Sequence, residues 1–160
     1  MSAQDTEKLV RLAYDLYNQR DFARSAQITA PDAVTVLTPT GQQFHGPEGA
    51  VEYLTGWATA FPDSTVEVTN VVASDTAAVV EFIGRGTHTG PLGTPAGPIP
   101  PSGRRVEFPL CDVWAVRDGK LAGNRNYFDL LTLLRQIGVA APPAAIDITQ
   151  ATIGVPAASA

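Results

Sequence analysis

Residues 106–128 read VEFPLCDVWAVR-DG-KLAGNRNYF, and the register of this stretch decides what the chain can build. Val106 to Arg117 alternates as a strand, Asp118-Gly119 is a hairpin turn, and Leu121 to Phe128 is the returning strand. Two registers are open. A two-residue loop, Asp118-Gly119, sets Asp112 opposite Arg125 and turns Asn126 to the other face. Asp112 would then be half of a cross-strand pair contributing about 0.2–1 kcal/mol. A three-residue loop, Arg117-Asp118-Gly119, with Gly119 left-handed, puts the even-numbered residues of both strands on one face. That face carries Leu110, Asp112, Trp114, Val116, Ala122, Asn124, Asn126 and Phe128, and Arg117 and Arg125 point away. The second register is preferred because it gathers aromatic and amide groups around one carboxylate and leaves both arginines to water.

Outward from the hairpin, Asp129 caps a helix through Gln136, closed by Gly138. Upstream, Gly90 to Gly103 is a Pro/Gly-rich loop of a length often functional or mobile. Before it, Val66, Val68 and Val71 mark one strand and Ala77 to Thr89 a second. The N-terminal part is helical. Leu9, Leu12, Ala13, Leu16 and Tyr17 share a face, with Asp5 or Thr6 as cap. A shorter helix follows from Asp21 to near Thr29, then a strand from Ala33 to Thr38 and a turn at Pro39-Thr40-Gly41. Gly46-Pro47-Glu48 opens a helix to about Ala60. Helices first and a run of strands after them make an α+β domain. The expected form is a strongly curved antiparallel sheet, a cone whose pocket the N-terminal helices close. The domain spans 1–138. Residues 139–160 form an extended or partly disordered tail, in which 146–155 can add an edge strand or pack on a neighbour.

Composition narrows the function. The chain has 160 residues, 44% of them hydrophobic, and a net charge of -5. An acidic chain with no basic stripe is a poor partner for nucleic acid. The single cysteine, Cys111, allows no intrachain disulfide, and with only His45 and His88 beside it no metal-ligand spacing arises. The first residues lack the charged and apolar regions of a secretion signal, and no apolar run approaches a bilayer span, so the cytoplasm is the default.

Several stretches resemble one family: Gly84-Arg85-Gly86-Thr87-His88-Thr89-Gly90 with Gly103-Arg104-Arg105 after the loop, and Asp112 through Asp118-Gly119-Lys120 to Asp129 and Leu134-Arg135-Gln136-Ile137-Gly138. Tyr17-Asn18 and His45-Gly46-Pro47 fit it too. Together they resemble the SnoaL-like polyketide cyclases of the nuclear-transport-factor-2 fold, over roughly residues 7–138. The resemblance implies ring closure by an intramolecular aldol step without a cofactor. A last-strand carboxylate takes the proton and a histidine on the preceding strand assists. Here the carboxylate position falls on Asn126 and the histidine position on Asp112. An amide is no base, so the carboxylate has crossed the hairpin. Both positions face one cavity in the family, which also favours the three-residue loop.

The expected acid/base is therefore Asp112, desolvated among Leu110, Trp114 and Phe128. Asn124 and Asn126 can donate to a substrate oxygen or else satisfy buried groups. His88 can shuttle protons or else tie a strand end to the loop. Tyr17, Trp57, Trp114 and Phe128 are candidate walls, with plain core packing as the alternative for Tyr17 and Trp57. The expected ligand is a polyketide-like small molecule. Epoxide opening or pyran formation, and a non-catalytic binding role, are the competing readings. Folds of this kind often dimerise through the outer sheet face, where Cys111, Val113 and Tyr127 would lie, so a homodimer is expected.

Overall fold

The computed structural model describes residues 1–140, and the expected tail contacts of 146–155 lie outside the described residues. The chain begins with α1 (Ala3–Gln19) and α2 (Phe22–Ile28), then β1 (Thr29–Leu37) and β2 (Gln42–His45), then α3 (Gly46–Ala60). Four strands follow, β3 (Thr65–Ala73), β4 (Ala77–Thr87), β5 (Arg105–Arg117) and β6 (Lys120–Phe128), and α4 (Leu130–Gln136) ends the domain. The six strands form one sheet in the order β2-β1-β6-β5-β4-β3. Its β1–β6 pairing is parallel, where antiparallel pairing was expected throughout. The α+β expectation holds, with the helices on one face of a sheet whose β1–β6, β3–β4 and β5–β6 pairings each carry a register shift. Such irregularities bend strands and raise local twist, and so curl a sheet.

The hairpin combines the two registers that the sequence leaves open. Arg117 pairs with Lys120, so the loop is Asp118-Gly119 alone. Both loop residues have positive φ, 52° and 70°, as a type I′ turn requires. Yet Asp112 pairs with Asn126 and Trp114 with Asn124, so even-numbered residues of both strands share a face as the three-residue loop predicts, although that loop would have paired Asp112 with Asn124. The extra residue sits in β6. Val116 pairs with Leu121 and Ala115 with Gly123, leaving Ala122 as a bulge. Leu121 is therefore the buried residue and Ala122 is displaced from the inner face assigned to it. An apolar leucine gains more from burial than an alanine, about 25 cal/mol for each Å² of apolar surface.

The helix ends are mostly where the sequence puts them. The cap of α1 is Ser2 rather than Asp5 or Thr6: its hydroxyl accepts from the Asp5 N–H, and the Asp5 carboxylate accepts from the Ser2 N–H. Asp21 caps α2 and Asp129 caps α4. Pro47 occupies the first turn of α3. The core joins Val10 and Tyr14 of α1 to Val80 and Phe82 of β4, Phe108 and Leu110 of β5, and Leu133 and Ile137 near the C-terminus.

Candidate active site

A cavity lies between the inner sheet face and the three N-terminal helices. Ala13, Tyr14 and Tyr17 of α1, Tyr53, Leu54 and Trp57 of α3, and Phe82, Phe108, Leu110 and Trp114 of β4 and β5 are among its lining residues. Its volume is about 120 Å³, against the roughly 10–15 Å³ that one water needs. Among the described residues only two that line it are charged, Asp112 and Arg85. The Arg85 guanidinium is held by Glu67 at 2.6 Å and Glu107 at 2.9 Å, so Asp112 is the one carboxylate facing an apolar, mainly aromatic space.

Strand alternation places Asp112 inward and the fold then surrounds it. It is 3% exposed. Tyr14 Oη donates to Asp112 Oδ2 at 2.7 Å, and Asn126 Nδ2 donates to Asp112 Oδ1 at 2.7 Å. The Trp114 indole N–H donates in turn to Tyr14 Oη at 2.9 Å. Burial pushes the Asp112 carboxyl up to about 6, against the pull of Asn126, Tyr14 and Asn124. Burial also raises the Tyr14 phenol well above its ordinary value, and the Asp112 charge adds to that. Tyr14 therefore stays a neutral donor. A carboxylate that titrates near 6 is ionised at neutral pH and is a far better proton acceptor than an ordinary aspartate.

The other expected site residues divide into two groups. Tyr17, Trp57, Trp114 and Asn124 line the cavity with Asp112. Tyr17 Oη shares a 2.6 Å hydrogen bond with Ser64 Oγ, and the Arg20 guanidinium lies 4.7 Å from its ring centre. Asn126, His88 and Phe128 are not among the lining residues. Asn126 is fully buried behind Asp112, its amide N–H committed to that carboxylate. Phe128 packs its ring 5.7 Å from both Trp57 and Phe108 and forms part of a groove on the outer side.

His88 is fully buried and joins the strand end to the long loop. Its N–H donates to the Arg104 carbonyl, its carbonyl accepts from Gly103 N–H, and Nδ1 accepts from Ser102 N–H at 3.2 Å. An Nδ1 that accepts leaves the proton on Nε2, which has no partner among the described residues. Burial lowers the imidazole's proton affinity, so it is neutral. This is the structural alternative for His88, whose ring packs 5.4 Å from that of Phe61, a residue that itself lines the cavity.

Two tyrosines escape the sequence reading. Tyr14 holds Asp112 directly, and Tyr53 lines the cavity from α3. Their signals are the spacings Val10, Tyr14, Tyr17 and Ala50, Tyr53, Leu54, Trp57, each one face of a helix. Among the described residues no group of three or more His, Cys, Asp or Glu side chains is arranged to hold a metal ion. No helix among them is long and apolar enough to cross a membrane.

A curled sheet closed by N-terminal helices over an apolar cavity defines a nuclear-transport-factor-2-like domain. The chain belongs to the SnoaL-like polyketide cyclase family, whose sequence model matches residues 7–137. It is similar to TsrD from Streptomyces laurentii, with 26% identity and a TM-score of 0.75 over 88% of this chain and 99% of that one. It is similar also to IdmH from Streptomyces antibioticus, provisionally assigned as a polyketide cyclase, with 26% identity and a TM-score of 0.67 over 83% of this chain and 98% of that one. An NTF2-like protein from Burkholderia pseudomallei shares the fold at 19% identity, with a TM-score of 0.67 over 84% of this chain and 98% of that one. No curated protein matches the chain.

Proposed function

We propose that this chain closes or isomerises a ring in a polyketide-like molecule by proton transfer, with Asp112 as the acid/base. The observation that carries the reading is a buried carboxylate, raised to about 6, as the one charge without an ion pair among the described residues that line an aromatic cavity. In the aldol form, Asp112 takes a proton from the carbon beside a carbonyl. The C–H electron pair becomes the enolate, and the enolate carbon bonds to a second carbonyl carbon. The alkoxide so formed takes the proton back from Asp112. Nothing is oxidised or reduced. Tyr14 and Asn126 hold the carboxylate in place, and Trp114 orients Tyr14. The dimer expected from the outer face belongs to the same proposal.

The test uses a bicyclic ketone, 2-tetralone, in heavy water. Exchange of its α-protons, followed by proton NMR, should be accelerated by the protein and lost in Asp112→Asn. Undiminished exchange in that variant sinks the assignment of Asp112. Binding of the ketone without any exchange would leave the chain a binding protein.

A further inference from the structure

A base alone leaves the charge that develops on the substrate's oxygen without a partner. Asn124 and Asn126 are the expected donors, but the Asn126 amide is engaged by Asp112 and its carbonyl oxygen is sealed and unpartnered, and Asn124, which lines the cavity, also pulls on the Asp112 carboxylate. Two further donors come from α3. Tyr53 and Trp57 lie four residues apart on α3, so they share a face. Both line the cavity that Asp112 lines from the sheet. The other lining donors of this kind are engaged: Tyr14 with Asp112, Tyr17 with Ser64, Trp114 with Tyr14. The Trp57 indole N–H lies close enough to the Tyr53 phenol to pull on it. An indole only donates, so the phenol's own proton stays free for whatever fills the cavity.

We propose that Tyr53, backed by the Trp57 indole, donates the hydrogen bond that receives the substrate's carbonyl oxygen while Asp112 draws off the adjacent proton. This rests on Asp112 as the acid/base. A flat carbonyl compound between α3 and β5 presents its oxygen to the helix and its acidic C–H to the sheet. The C–H bond breaks, the proton goes to Asp112, and the electron pair passes into the enolate, whose negative oxygen faces the Tyr53 O–H. Burial and the Asp112 charge both raise the Tyr53 phenol, so it remains a neutral donor, while the nearby Trp57 acts in the opposite sense. The Phe44 ring, 5.5 Å from that of Tyr53, supports the phenol from behind. A donor fixed in a mainly apolar cavity is the arrangement that favours charge developing in a transition state.

The test separates this donor from the base. In the full-length Asp112→Asn chain the amide stands for the protonated carboxyl that follows proton abstraction. Ring-substituted 2-naphthols of graded acidity then serve as enolate analogues, with binding followed by their fluorescence. Affinity should rise as the naphthol becomes more acidic. Adding Tyr53→Phe should flatten that dependence and Trp57→Phe should weaken it, with melting curves unchanged. With the base intact, Tyr53→Phe should slow 2-tetralone exchange about 10²–10³-fold, the usual loss for one such donor. An unchanged slope, or uniform weakening across the series, overturns the proposal. If Asp112→Asn exchanges like wild type while Tyr53→Phe flattens the naphthol series, the base assignment fails and the donor stands.

Discussion

At the scale of single residues, Asp112 sets function against stability. Its carboxyl titrates near 6 in the folded chain, against about 3.9 when unfolded. The folded state therefore holds the proton more tightly. The stability this provides is complete below about pH 4 and is lost as pH rises through about 6. Two units correspond to roughly 3 kcal/mol at most. Asp112→Asn cannot ionise, so its stability relative to wild type should climb by about 2–3 kcal/mol between pH 4 and pH 8. Urea melts at the two pH values measure this, and a constant difference would show that burial does not strain the carboxylate. The exchange rate should move oppositely, rising with pH through about 6 as the base ionises. Tyr14→Phe removes a donor that lowers Asp112. It should push the midpoint of that pH–rate curve upward and reduce the rate at neutral pH. Asp112 is legible in the sequence through the choice of register: sharing a face with Leu110, Trp114 and Asn126 points it inward, whereas opposite Arg125 it would be half of a cross-strand pair. Tyr14 is not, because a helix offers Leu9, Leu12, Ala13, Leu16 and Tyr17 as an equally apolar face, and only the sheet decides which side is covered.

At the scale of elements, the order of helices and strands follows from periodicity and caps, whereas the devices that shape the cavity do not. The Ala122 bulge is one. Asp-Gly specifies a two-residue turn, and the inward pairing of Asp112 with Asn126 requires one residue more. Neither fact is wrong, and the reconciliation needs packing that places Leu121 inward. The parallel β1–β6 pairing is another, since it joins residues about 90 apart in sequence. The junction of α3 with the long loop is a third. A Cβ on Gly90 would lie 1.9 Å from the Thr59 carbonyl oxygen, and the Gly90 N–H donates to the Ala60 carbonyl at 3.2 Å. No flexible side chain can yield there. Gly90→Ala should cost about 1–3 kcal/mol or more by overpacking, and it should weaken naphthol binding by shifting the α3 end that carries Trp57 and Phe61. Chemical denaturation and the fluorescence assay test both halves. A neutral substitution would show that the close approach of loop and helix does not constrain α3.

At the scale of the whole molecule, the two faces of the sheet differ in what they leave unfinished. The inner face is closed by helices. The outer face of β4, β5 and β6 shows Val79 at 40% and Tyr127 at 44% exposure, with Ile83, Cys111 and Val113 half-buried beside them. Strand register sets Val79 beside Val113 and Cys111 beside Tyr127, so these apolar groups are contiguous rather than scattered. Two exposed charges flank them. Glu81 pairs with Cys111 in register and Arg125 with Val113, and Arg125 forms no ion pair among the described residues. A two-fold axis through this face would bring Glu81 of one copy toward Arg125 of the other while the apolar groups bury each other, as an isologous contact requires. The protomer is 16.8 kDa, so light scattering at micromolar concentration should give twice that mass. Val113→Glu or Tyr127→Glu should return the single mass, because each places a carboxylate where the other copy's apolar surface would exclude water. Both variants should keep exchanging 2-tetralone protons, since the cavity lies on the opposite face of the sheet. A wild-type chain that runs at the single mass would refute the dimer and leave the active-site argument standing.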